Sequence, residues 1–217
     1  MTDKHSIQLI SLFYAHLLHV DEICPDPEST RDGMLNLSMS VLNELKRLSI
    51  REITELLKAD RNEFIISTAS IPQFSSYEDV VFEVPYLSVA SRERDIAFSQ
   101  MGYMLLRTPK KDGAYLKYGE NHTKTAALMG LCTVQKGRVN PSYLGVAYSR
   151  LPKEEQKDII PKIILYMPII QNFFVNDMDI DLLRKYFSLL SESTQIRRRS
   201  NVKTLINQVG KHVDYEL

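Results

Sequence analysis

The sequence predicts a mostly helical α+β protein, and three observations carry that prediction. Apolar residues recur at helical spacing along most of the chain. Only a few short runs are rich in β-branched and aromatic residues. Between Ala114 and Leu151, AYLKYGENHTKTAALMGLCTVQKGRVNPSYLGVAYSRL reads as a helix, a tight hairpin and the start of another helix. The helix is expected over Asn121–Leu131, with Gly130 in a left-handed cap and Leu131 returning to the core. Cys132–Gln135 and Arg138–Asn140 are expected as strands around a Lys136-Gly137 turn, where glycine at the second position admits a positive φ. The order helix, hairpin, helix is that of a winged helix-turn-helix.

The N-terminal half reads as a helical region with a short sheet. Ser6–Val20 carries Ile7, Ile10, Tyr14, Leu17 and Leu18 on one face. Cys24-Pro25-Asp26-Pro27 ends it and opens a polar loop to Asp32. Met34–Leu45 is a second helix, with Leu37, Val41, Leu42 and Leu45 inward. Arg51–Lys58 is a third, with Ile53, Leu56 and Leu57 inward and Ser49 as cap. Asn62–Ser67 and Val80–Val84 have strand composition and are expected to pair. Pro85-Tyr86-Leu87-Ser88 is the expected join, giving regions 1–87 and 88–217.

Beyond the join, Ser91 is expected to cap a helix running to about Leu106, with Ile96, Ala97, Met101 and Leu105 inward. Thr108–Gly113 reads as a basic loop. Pro152 suits a first helical position, and Glu154 and Glu155 suit the positive end of that helix. Pro161 predicts a kink or break inside the apolar run Ile159–Ile164. Asp179 is expected to cap a helix through Leu190. Val202, Leu205, Ile206 and Val209 mark the inner face of the last helix.

The composition, 44% hydrophobic and 25% charged, is that of a soluble globular chain. No run approaches the ~20 apolar residues of a bilayer span, and the start MTDKHSIQ has no signal-peptide pattern. Cys24 and Cys132 stand far apart and are expected as reduced thiols, hence a cytoplasmic setting with no membrane partner. The zero net charge hides an asymmetry. Residues through Asp95 hold 16 acidic and 9 basic side chains, a net of −7, and the remainder holds 11 acidic and 18 basic, a net of +7. A basic half points to an anionic partner.

The candidate DNA-binding residues follow from that basic half. Asn121, His122, Lys124 and Thr125 are expected in the first turns of the reading helix, the end that meets base edges in a major groove. Asn121 is expected to pair with adenine, with helix capping as the alternative. Lys110, Lys111, Lys117, Lys136, Arg138 and the run Arg197, Arg198, Arg199 with Lys203 are expected on phosphates, Arg199 and Lys203 as an outward stripe.

Catalytic chemistry has weaker support. His16 and His19, with Asp21, Glu22 and Cys24 close behind, lack a second ligand pair and read as an amphipathic helix. Glu63, Asp79 and Glu83 lack the lysine of a magnesium nuclease motif and are expected on the solvent face of the small sheet. Gly102 and Gly119 are isolated, with no phosphate-binding glycine loop. No catalytic residue, metal ligand or cofactor is therefore expected.

Three segments also suggest a family: GENHTKTAALMGL, SYLGVAYSRLPKEEQKDII and STQIRRRSNVKTLINQV, in that order. Over roughly Arg92 to Gly210 the chain resembles winged-helix modules associated with type II restriction enzymes and related bacterial defence proteins. It departs from them in Met129 before Gly130-Leu131 and in Pro141-Ser142-Tyr143 after the hairpin. The resemblance implies sequence-directed binding of double-stranded DNA in a bacterial defence or regulatory system. Two alternatives accompany it: a small type II endonuclease with a magnesium-dependent acidic site, and a winged-helix protein-interaction module. The first half is expected to serve a homodimer or a protein partner.

Overall fold

The computed structural model describes residues 22–60, 65–91, 95–108 and 110–210. The helix expected over Ser6–Val20, with His16 and His19, lies outside them, as does Glu63. The described chain is mostly helical with one small antiparallel sheet.

Helix α1 (Gly33–Arg47) begins where Asp32 Oδ1 accepts the Met34 and Leu35 N–H groups. Helix α2 (Ile50–Asp60) begins with a reciprocal cap: Ser49 Oγ accepts the Glu52 N–H while the Glu52 carboxylate accepts the Ser49 N–H. The inward faces expected of both helices are buried at Val41, Leu42, Leu45, Ile53 and Leu57, while Leu37 and Leu56 are half-buried.

Among the described residues the sheet expected in the first half does not form; Asn62 to Phe64 of its first strand lie outside them. Val80–Val84 is helical: a single π-type turn, Asp79–Glu83, runs directly into α3 (Val84–Ala90). Val80, Val81 and Val84 are buried together, a helical spacing, and that one-sided burial overrides the strand preference of three valines. Ile65–Ser67 has no strand pairing either. The expected join, Pro85 to Ser88, lies inside α3 with Pro85 and Ser88 buried. One hydrophobic cluster runs from Val41 in α1 through Val80 and Ile163 to Val209, so the described residues of both expected regions share a core.

Past α3, the helix expected from Ser91 is shorter, because Ile96–Ala97 is a strand, β1, and α4 spans Phe98–Leu105. Helix α5 spans Asp112–Leu128 and ends as expected: Gly130 has φ 72°, its N–H reaches the Ala127 carbonyl, and the Leu131 N–H reaches that of Ala126. Strands β2 (Thr133–Gln135) and β3 (Arg138–Asn140) form the expected hairpin, with Lys136 at φ 49° and Gly137 at φ 77°. The hairpin is not separate, however. Strand β1 pairs with β3, Ile96 opposite Val139, giving the order β1-β3-β2.

Helices α4 and α5 pack backbone to backbone. A Cβ on Gly102 would lie 1.9 Å from the Tyr115 carbonyl oxygen, and one on Gly119 would lie 1.9 Å from that of Phe98. Helix α6 (Tyr143–Ser149) follows the hairpin and packs on α1 and α3. Helix α7 (Lys153–Ile164) starts after Pro152, which holds the cap position rather than the first turn, and has Glu154 and Glu155 in its first turn. Pro161 does not break it; the chain turns after Ile164, by 69°, into α8 (Pro168–Val175). Helix α9 (Ile180–Phe187) is capped by Asp179 and stops before Leu190. Helix α10 (Glu192–Val209) buries Val202, Leu205, Ile206 and Val209 as expected. Among the described residues no single helix is long and apolar enough to cross a membrane; α7 and α8 pass only jointly, across their bend.

The glycine contact generates a stability prediction. Gly119→Ala places a methyl group against a carbonyl that belongs to a helix and cannot yield, so it should cost about 3 kcal/mol or more in urea unfolding. Gly113→Ala, on the same helix with nothing within 4 Å of the added carbon, should be neutral or stabilising by roughly 0.5–1 kcal/mol. Equal effects at the two positions would contradict the backbone contact.

Candidate functional site

The expected reading residues are placed by where α5 begins. The basic loop ends at Lys111, and the helix starts at Asp112 rather than Asn121. Asn121 to Thr125 therefore lie in the middle of α5, not in its first turns, and Asn121 is no cap. His122, Thr123 and Thr125 are buried, at 1%, 0% and 1% exposure. They do not meet solvent, and the DNA-facing roles expected of His122 and Thr125 are corrected accordingly.

Their partners explain the burial. His122 Nε2 accepts the backbone N–H groups of Ser75 at 3.3 Å and Ser76 at 3.1 Å, which makes it the unprotonated ring nitrogen. Nδ1 then carries the proton and donates it to the Tyr118 carbonyl at 2.7 Å. Thr125 Oγ1 accepts the Gln73 N–H at 3.3 Å. Together they tie the extended 73–76 segment to α5 and satisfy backbone groups that would otherwise be buried unpaired. Burial lowers the His122 pKa, opposed by the Tyr118 carbonyl and the Asp79 charge.

Tyr118 completes the network. Its ring stacks on His122 with centroids 3.9 Å apart, and its hydroxyl donates to Asp79 Oδ2 at 2.6 Å. Burial first, and the Asp79 hydrogen bond second, push the phenol up to about 12. Asp79 and Glu83 thus lie on a helical turn, Asp79 engaged by Tyr118 of α5, and not on the solvent face of a sheet as expected of them. Among the described residues no three His, Cys, Asp or Glu side chains are grouped to hold a metal ion.

The outer side of α5 carries cations. Lys117 and Lys124 both bind Glu120 at 2.8 Å, and the two ammonium groups hold that carboxyl below its ordinary range. Lys124 Nζ lies 5.9 Å over the Phe98 ring, and a Cβ added at the hairpin glycine, Gly137, would lie 4.0 Å from the edge of the same ring. Lys136 at the hairpin tip and Lys110 and Lys111 before α5 are exposed. Arg138 pairs with Asp95 at 3.4 Å and also bonds its carbonyl.

The arginine run divides three ways. Arg197 is exposed. Arg198 turns inward, donating to the Ile71 carbonyl at 2.7 Å and to that of Thr68. Arg199 bonds Gln195 at 3.0 Å and lies over the Phe187 ring. Arg199 and Lys203 are both half-buried, so the outward stripe expected of them is absent, and Arg198 is a structural clamp rather than a phosphate contact.

One feature gathers residues far apart in sequence. A trough of about 650 Å³ runs between α5 and α10, beside the 73–75 segment. Lys117, Tyr118, Asn121 and His122 line one wall, Ile196, Arg197, Ser200 and Asn201 the other, and Phe74 lies between. No carboxylate lines it. A second hollow of about 660 Å³, at Ile96, Tyr103, Met104 and Tyr115, has no charged lining residue. The sequence pointed to Lys117, Asn121, His122 and Arg197 separately. Phe74, Tyr118, Ser200 and Asn201 carried no local signal, because only the packing of α10 beside α5 makes them neighbours.

No protein-family model matches the chain, no curated protein matches it, and no solved structure matches it.

The buried histidine generates a pH prediction. Its folded pKa lies below the ordinary 6.5, so as pH falls through that value the unfolded chain takes up a proton that the folded chain refuses. Stability is fully present above that pH and should decline below it. In His122→Gln, whose amide oxygen accepts the same N–H groups without titrating, the urea midpoint should change less between neutral pH and the onset of carboxylate protonation. Parallel pH profiles for the two proteins would show that His122 is not the group responsible.

Proposed function

We propose that the chain is a non-catalytic double-stranded DNA-binding protein whose α4–α5 pair and β-hairpin act as a winged helix-turn-helix. What supports this is the arrangement of elements. Strand β1 precedes α4 and α5, the hairpin follows, and β1 adds to its β3 edge. The observation that carries the proposal is the cation ridge along the outside of this unit. Lys117 and Lys124 lie on α5, with Lys124 over the Phe98 ring; Lys136 and Arg138, the latter paired with Asp95, lie on the hairpin whose turn passes near that ring, and Lys110 and Lys111 lead into the helix. Ammonium and guanidinium groups of this kind contact phosphates.

Base reading moves with the helix start. The residues available to a major groove are those on the exposed side of α5, Gly113, Ala114, Leu116 and Lys117 in the first turns and Lys124 further along. Glu120 between the two lysines orients both ammonium groups and lowers the net charge of the ridge. A restriction-related defence system or a regulatory one is the proposed setting, on the resemblance of the C-terminal half.

Binding to a blunt duplex, followed by fluorescence anisotropy against salt, tests the reading. About six phosphate contacts give a log–log slope near −5. Lys124→Glu with Lys136→Glu should weaken binding at least tenfold and make the slope shallower by about 2. Arg198→Ala should lower thermal stability and leave the slope unchanged, because its guanidinium is committed to two carbonyls. Binding insensitive to salt rules the reading out, and cutting of a plasmid in magnesium rules out its non-catalytic part.

A further inference from the structure

The trough between α5 and α10 adjoins the outer cation ridge at Lys117, which borders both, and its size is that of a small-ligand site rather than a duplex surface. Its charged lining residues are Lys117 and Arg197, both cationic, and the one carboxylate paired with either, Glu120 on Lys117, is not among the lining residues. Lys117 shares Glu120 with Lys124, so two cations face one anion there. The Tyr118 ring is held in place by the His122 stack and the Asp79 hydrogen bond, and Phe74 stands beside it. Asn201 lines the trough at 8% exposure, and its amide nitrogen has no hydrogen-bond partner. An unpaired buried donor is costly, and a ligand acceptor reached by a small shift of the amide would relieve it. Cations beside aromatic rings, in a lining that itself holds no carboxylate, are the ingredients of a site for unpaired nucleic acid.

We propose that this trough holds one unpaired nucleotide of a DNA strand. The phosphate lies against Lys117 and Arg197, the base runs along Phe74 and Tyr118, and Asn121 and Asn201 offer amide groups to its edge. The inference rests on the DNA-binding reading above and adds a second site to it: duplex on the outer ridge, an unpaired nucleotide in the trough.

Ser200 is an exposed residue of the trough wall, so Ser200→Trp fills the space without changing charge. Binding of a labelled short oligothymidylate and of a blunt duplex is compared by fluorescence anisotropy, with thermal melts showing that the variant folds. In Ser200→Trp the oligothymidylate should bind at least about tenfold more weakly while the duplex binds as before. An abasic oligomer of the same length should bind the native protein as weakly as oligothymidylate binds the variant. Arg197→Glu, at an exposed position, should also weaken the strand and serves if the tryptophan variant does not fold. Strand binding unchanged in the tryptophan variant, or strand and duplex weakened equally, overturns this inference and leaves the duplex reading standing. Strand binding without any duplex binding overturns the duplex reading and keeps the trough. Absence of both ends the nucleic-acid reading altogether.

Discussion

Two glycines determine how α4 and α5 cross, and much of the molecule's C-terminal part is arranged around that crossing. Gly102 and Gly119 let each helix rest on the other's carbonyl groups, closer than any side chain permits. Contact at this distance leaves little freedom to rotate α5 about its own axis, because every rotation drives a Cβ into backbone. The remaining faces of α5 are thereby assigned. One is directed to the 73–76 segment and α10, and another is left in water with Lys117, Glu120 and Lys124.

The inward polar face shows how a helix that looks made for a ligand can be occupied by its own protein. His122 and Thr125 carry hydrogen-bonding groups suited to base edges, but the 73–76 segment presents backbone N–H groups that must be satisfied once buried. An imidazole with one free lone pair accepts two of them at once. Burial then keeps the ring neutral, which is the state the network needs. The same logic governs Arg198. A half-buried guanidinium bonded to the carbonyls of Thr68 and Ile71 is worth more as a clamp than as one more surface charge, so a three-arginine run yields a single exposed arginine.

This division separates two kinds of surface on one helix. The outer side is charged and exposed, with Lys124 lying over Phe98. The trough is an open hollow, lined by aromatic and amide groups, and bordered by cations from two helices. The His122–Tyr118–Asp79 network lies on the trough side of α5. It anchors the segment carrying Phe74 and fixes the Tyr118 ring, so the trough is formed in advance of any ligand.

The sequence by itself determined the elements whose causes are local. Gly130 and Gly137 adopt the positive φ that their positions require, and Asp179 and Ser49 cap the helices they precede. The apolar face of α10 follows from its helical spacing. Local signals failed where a distant partner decided the outcome. Val80–Val84 has strand composition, yet becomes a helical turn because its buried valines face one shared core. The start of α5, the burial of His122 and the inward turn of Arg198 depend on segments far away along the chain. Gly102 and Gly119 looked isolated because the carbonyls they accommodate belong to another helix. Caps, turns and amphipathic faces are settled by neighbours a few residues apart, and so they can be read from order alone. Which polar groups remain for solvent or a partner depends on which backbone groups tertiary packing has already buried beside them.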